Sequence, residues 1–205
     1  LGVFLMIRGP QGSDWRGGRV LESMVSQIDV FPTICDFVGC EHPDWLQGKS
    51  LMPLVDGDAD EINDAVFGEV NYHAAYQPMR AIRTKRWKYI RHFYERRIPV
   101  PPNQAPCDSR DIWDEQGWLE REEAREELYD LTFDPTESNN LADREDHAEI
   151  KADLSQRLRQ WMEHTEDPLL EGHISLIEGG HTVTWDQLSN HGASMDADQI
   201  GRAHV

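Results

Sequence analysis

Apolar and polar positions alternate along this chain in two distinct rhythms, and the change from one to the other divides it. Gly2 to Arg8 is a short apolar run stopped by Arg8-Gly9-Pro10 and reads as a buried strand. Pro10 to Gly18 is rich in turn formers. Val20, Leu21, Met24, Val25 and Ile28 then lead into Asp29, a good helix N-cap, with Pro32 in the first turn, where its missing N–H costs nothing. Phe31, Ile34, Phe37 and Val38 follow at helical spacing, and Gly39 ends the run. Pro43 to Gly57 reads as a loop closing on Leu51, Leu54 and Val55.

Past an acidic, turn-prone stretch from Asp56 to Asp64, the period shortens to two. Val66–Val70 is one expected strand. Met79–Arg83 and Trp87–Arg91 alternate apolar with basic residues around Thr84-Lys85-Arg86, the pattern of a β-hairpin. Glu127–Leu131 is a further strand, closed by the turn at Asp134-Pro135. Between the hairpin and that strand lies an insertion, Pro99 to Arg125, which starts as a Pro-rich loop. It is expected to end as a charged helix over 111–126. The clearest helix spans 146–163, with Ile150, Leu154, Leu158, Trp161 and Met162 on one stripe. Asp167-Pro168 ends it, and Gly172 to Val205 reads as an extended tail.

Composition narrows the function classes. Twenty basic and 38 acidic side chains give a net charge of −18, which repels phosphate backbones and argues against nucleic acid as a partner. The one basic cluster, Arg80, Arg83, Lys85, Arg86, Lys88 and Arg91, reads as a solvated strand face. No run of about 18 apolar residues is present, so no membrane span is expected. Leu1 lies inside an apolar run, from which the chain is expected to be a piece of something longer. Cys35, Cys40 and Cys107 form no zinc spacing and read as buried free thiols or a single disulfide with one thiol left over. The acidic group Asp56, Asp58, Asp60 and Glu61 lacks the spacing of an oxygen cage and reads as a solvated linker.

Four segments, in order, carry a resemblance. They are Arg8-Gly9-Pro10 with Val25 to Ile34 and Gly39; Gly48 to Leu54; Met79 to Arg83 with Trp87 to Ile90; and Glu127 to Leu131 with Asp134 to Glu137 and Asn139 to Ala142. Together they resemble the C-terminal third of the sulfatase family, in the alkaline-phosphatase superfamily. Tyr72-His73 ahead of Pro78-Met79-Arg80, the long insertion, and Thr165 to Pro168 are most similar to its N-sulfoglucosamine sulfohydrolase branch.

The resemblance implies an α+β fold: a four-stranded antiparallel sheet with a C-terminal helix packed on it, preceded by the last strand and helix of a large α/β domain. Residues 1–57 would end that domain, 58–172 would form the subdomain, and 173–205 the tail. Family members cleave sulfate esters or sulfamates with a formylglycine and a calcium ion, both expected in an N-terminal part that this stretch does not contain. Cys107-Asp108-Ser109-Arg110 lacks the Pro of the formylglycine motif and is one residue short to its Arg. No catalytic and no metal-ligating residue is therefore expected here. The expected contribution is substrate recognition: His73 first, with Tyr72 and Glu69 beside it and Arg80 facing either an anionic sugar group or a structural partner. A sulfated sugar and the catalytic domain are the implied partners, a homodimer is a candidate assembly, and an exported or lysosomal setting is implied. A binding module derived from a sulfatase, and a related phosphodiesterase or phosphonate hydrolase, are the alternatives.

Overall fold

The computed structural model describes residues 5–10, 12, 13, 15, 17–187, 195 and 196. Backbone contacts divide the chain into two compact units. One is built from residues up to Val66 together with Arg83–Trp87, the other from Phe67–Ile82 and the residues from Lys88 onward.

In the first unit a 3₁₀ turn, Gln27–Asp29, runs directly into α1, Val30–Val38, which Gly39 ends in the left-handed region at φ 73°. Asp29 stands at the N-cap position, yet its side chain makes no cap bond to α1. Its carboxylate instead accepts from the backbone N–H of Ser26 (2.7 Å) and Lys49 (2.8 Å) and from Asn63 Nδ2 (3.0 Å), pinning two distant loops to the helix start. Thr33 extends the tie: its hydroxyl donates to Asp29 O at 2.5 Å and accepts from Leu51 N at 2.8 Å. The approach is so close at Gly48 that a Cβ there would stand 2.1 Å from Ile28 O, so only glycine fits.

Two local expectations differ from the observed structure. The strand over 2–8 lies partly outside the described residues, and residues 5–8 are irregular, with Leu5, Met6 and Ile7 exposed. A strand needs a neighbour to satisfy its backbone, and no described strand pairs with this stretch. The loop over 43–57 contains a short helix, α2, Met52–Asp56, with Pro53 in its first turn and Leu54 buried. The face of α1 that faces inward is Pro32, Thr33 and Cys35, while Phe31, Ile34, Phe37 and Val38 are exposed. The polar tie at Asp29 and Thr33 sets the rotation of the helix, and the apolar stripe is turned outward.

The second unit holds most of a four-stranded antiparallel sheet in the order β1-β2-β3-β4: Val66–Tyr72, Tyr76–Arg83, Trp87–His92 and Glu126–Asp130. All four strands fall where the period-two pattern places them. The hairpin closes at Thr84, whose N–H donates to Trp87 O at 2.8 Å. The long helix, α4, spans Ala148–His164 and lies on the sheet: Trp161 stacks on Phe67 of β1 at 5.0 Å, and Lys151 reaches Glu126 of β4 at 3.4 Å. Leu154, Leu158 and Met162 of its stripe are buried, as are Ile82, Tyr89 and Leu128 of the sheet. Burying each such side chain stabilises by about 1.5–3 kcal/mol, which makes this layer the core.

The free edge of β4 is covered by Asn140. Its Oδ1 accepts from Leu128 N (3.0 Å) and its Nδ2 donates to Glu126 O (3.0 Å), while Leu141 N donates to Leu128 O (2.8 Å). A side-chain amide thus stands in for a fifth strand and blunts an edge that would otherwise invite pairing. Asp134 accepts from Ser138 N and Asn139 N to set the preceding loop, which explains the Asp134 to Leu141 pattern as a structural one.

In the insertion, α3 covers only Asp108–Glu115, short of the helix expected over 111–126. Gly117, at φ 75°, breaks it, and a 3₁₀ turn at Trp118–Glu120 leads on toward β4. The basic cluster is also less solvated than its alternation suggests. Arg80 and Lys88 are buried, each against a carboxylate, Asp167 and Glu137 respectively.

Candidate functional site

The four recognition candidates sit on β1, on β2 and in the turn between them. His73 is exposed at the turn, where its N–H donates to Ala75 O at 3.3 Å. The turn is held from the insertion by Asn103, whose Oδ1 accepts from both Ala74 N (2.9 Å) and Ala75 N (2.8 Å). Asn103 is itself oriented by donating to Gln77 Oε1 at 2.7 Å. Backbone groups of a bare turn can be satisfied by water, so a half-buried amide reaching both N–H groups from 29 and 28 residues away fixes the loop in one conformation.

Tyr72 sends its hydroxyl to Ile174 O at 2.7 Å, and burial, with the neighbouring Tyr76, pushes its pKa up to about 12. Its proton is therefore committed to the backbone, and the oxygen keeps only its acceptor capacity. Glu69 is the open carboxylate of the group: its side chain is 56% exposed, with Oε2 3.6 Å from Arg80 Nη2.

Arg80 is the opposite case. Its side chain is wholly buried, and it grips Asp167 with two bonds, Nε to Oδ2 at 2.5 Å and Nη2 to Oδ1 at 2.9 Å. Nη1 donates to Val70 O (3.1 Å) and Met79 O (2.9 Å). Of the two roles open to it from the sequence, the geometry selects the structural one, since a guanidinium spent this way has no fork left for an anionic ligand. Burial pushes the Asp167 carboxyl up, but the hydrogen bonds from Arg80 and from Leu169 N, with the charge of Arg80, hold it below the usual carboxylate range.

The same turn draws in residues that sequence periodicity did not reveal. Thr182 Oγ1 (2.8 Å) and Val183 N (3.1 Å) both donate to Ala74 O, and Trp185 Nε1 donates to Tyr76 O at 2.5 Å. Ile174 N donates to the Tyr76 hydroxyl at 3.2 Å. Tyr76 stands 4.8 Å from the Tyr72 ring and 4.3 Å from the His173 ring. The weak periodicity of the tail carries no spacing signal for these partners.

A separate cavity of about 140 Å³ lies between β3 and α4, lined by Arg91, Phe93, Ser155, Leu158, Arg159 and Met162 among others. It is well below the ~300 Å³ at which ligand pockets begin, and none of the four candidates lines it. Cys107 is exposed ahead of α3, and Arg110 is turned to Gln104 O at 2.9 Å, so the pair does not form a nucleophile with its guanidinium. Cys35 and Cys40 are free thiols as well, but of the three only Cys35 is buried as expected; Cys40 follows the end of α1 and is exposed. Among the described residues no three His, Cys, Asp or Glu side chains converge as metal ligands. No helix among them is long and apolar enough to cross a membrane.

A family model described as N-sulphoglucosamine sulphohydrolase, C-terminal, matches residues 1–99. An ulvan-active sulfatase of Formosa agariphila is 33% identical over 164 residues, which are 78% of this chain and 33% of that protein. Human N-sulphoglucosamine sulphohydrolase is 29% identical over 189 residues, 80% of this chain and 37% of that one. The chain thus spans about a third of the length of these curated relatives. Among solved structures, a putative sulfatase from Bacteroides thetaiotaomicron superposes with a TM-score of 0.55 at 22% identity, over 80% of this chain and 31% of that one, a likeness of fold. The sheet under its single long helix, the motifs in their order and these likenesses make the chain a member of the sulfatase family, of which it represents the C-terminal region.

Proposed function

We propose that this chain supplies one wall of the substrate pocket in a sulfatase that removes sulfate-ester or N-sulfate groups from sulfated sugars. The observation that carries this reading is the β1–β2 turn, which presents His73 to solvent while Asn103 and the segment after α4 hold its backbone rigid. Rigid presentation of a polar side chain from over-determined backbone is what ligand orientation requires. The neutral imidazole donates one hydrogen bond and accepts another, which suits a sugar hydroxyl or the nitrogen of a sulfamate. Glu69, exposed and close to the buried Arg80, suits a second hydroxyl. The likeness to an ulvan-active sulfatase and to N-sulphoglucosamine sulphohydrolase favours a sulfated sugar as the substrate class.

In this proposal the nucleophile, the calcium ion and the formylglycine belong to a large α/β domain of the same enzyme. Residues 1–57 complete that domain, 58–172 form the subdomain, and the segment from 173 follows it. Phe31, Ile34, Phe37 and Val38 on α1, with Trp45 packed on Phe31 at 5.7 Å, form an exposed apolar face suited to cover by that domain. Cleaving a sulfate requires stabilising a tetrahedral anion with a cation and preorganised donors, and the described residues converge on no such centre. The purified 205-residue chain is therefore expected to release no sulfate from 4-nitrophenyl sulfate or glucosamine N-sulfate, with or without added calcium. Turnover by the chain alone would place a complete centre within it and end this reading.

A further inference from the structure

The segment that follows α4 returns to the β1–β2 turn and spends five hydrogen bonds on residues 72–76. They link Ile174 to both Tyr72 and Tyr76, Thr182 and Val183 to Ala74 O, and Trp185 to Tyr76 O. Val183 is buried with Ala75, Tyr94 and Val100, which fastens this strap to the turn through apolar contact as well. Ordering a chain segment costs conformational entropy at every residue, so five hydrogen bonds to one short turn call for a reason beyond closing a hairpin.

The strap also delivers a side chain. Ile174 is clamped between the two tyrosine hydroxyls, and its neighbour His173 is thereby laid against Tyr76, with its ring exposed and 4.3 Å from the tyrosine ring. Tyr72, the buried Tyr76 and His173 form a run of three neighbouring rings, which starts at the residue before His73. Desolvation lowers the pKa of His173, so at neutral pH it is an uncharged imidazole with one donor and one acceptor.

We propose that His173 is a second substrate-binding imidazole on the same wall as His73, and that the strap is the element that sets the spacing of the two around a sulfated hexosamine. This inference rests on the substrate-wall reading of His73 and adds to it a specificity-determining residue about 100 positions later in the chain. The exposed His173 ring, backed by the buried Tyr76, offers a face that a pyranose ring stacks on, while the two imidazoles address hydroxyl or sulfamate groups at its rim.

The test titrates the 205-residue chain with glucosamine N-sulfate and follows its imidazole resonances by ¹⁵N–¹H NMR, with His147 and His164 as internal controls. His73 and His173 are expected to shift together with one midpoint, the controls staying still, and His173→Ala is expected to raise the His73 midpoint at least fivefold. His173→Gln, which keeps a side chain of similar reach, serves where the alanine variant loses its fold. If His73 shifts but its midpoint is unmoved in both variants, this inference is overturned and the His73 reading stands. If neither histidine responds, both fall.

Discussion

Asp167→Ala is expected to lower the stability of the second unit by about 3–5 kcal/mol, the cost of leaving a buried cation without its partner. Arg80 is wholly buried, and Asp167 takes two of its N–H groups in a bidentate grip. Removing the carboxylate strands a guanidinium in the core and also frees Leu169 N, which donates to Asp167 Oδ1 at 3.0 Å. The double substitution Arg80→Met with Asp167→Leu removes both charges together and is expected to recover much of the loss. Urea unfolding of the two single variants and the double variant measures the coupling. An Asp167→Ala variant as stable as the parent would show that the pair contributes nothing.

The same pair sets an acid limit. The Asp167 carboxyl is held below its ordinary value in the folded state. Its stabilisation is therefore fully present above the unfolded pKa near 4 and is lost as pH falls through the lower folded value. The stability of the parent should accordingly decline below about pH 4, and the double variant, lacking the carboxylate, should decline less over that window.

The second large effect is expected at Asp29. Its carboxylate satisfies the N–H of Ser26, the N–H of Lys49 and the amide of Asn63, all in the first unit, and the residue is 1% exposed. Asp29→Ala leaves these donors without an acceptor, at about 1–3 kcal/mol for each that water cannot reach. A total near 3–5 kcal/mol is expected, because the outermost donors recover water. Asp29→Asn keeps one acceptor oxygen and should fall between the two. Hydrogen exchange at Lys49 and Leu51 reads the effect locally: both amides should lose protection in the alanine variant, and unchanged protection would contradict the anchor role.

What the sequence made legible follows from which forces have a local signature. The four strands and α4 lie where their apolar periods place them, since burial of one face must recur at fixed spacing along the chain. Asp29 was recognised as a helix-start residue, but its polar partners lie 20 and 34 residues away and leave no periodic trace. For the same reason the tie through Asp29 and Thr33, which leaves the apolar stripe of α1 exposed, carries no spacing signal. Arg80 looked open to a ligand because its partner, 87 residues later, carries no spacing signal. His73 and Tyr72 could be singled out only through resemblance to a family. The contacts of Asn103, Thr182 and Trp185 that hold their turn became visible only once distant segments were brought together.

The central claim is that the β1–β2 turn faces the sugar while the chemistry lies elsewhere in the enzyme. The most direct measurement compares kcat/KM for glucosamine N-sulfate with that for 4-nitrophenyl sulfate in the polypeptide that joins this chain to its catalytic domain, with and without His73→Ala. A wall residue that binds the sugar predicts a fall of about tenfold or more for the sugar, roughly one lost hydrogen bond to a buried ligand, and little change for the aryl ester. Equal falls on both substrates, or no fall on either, would contradict it.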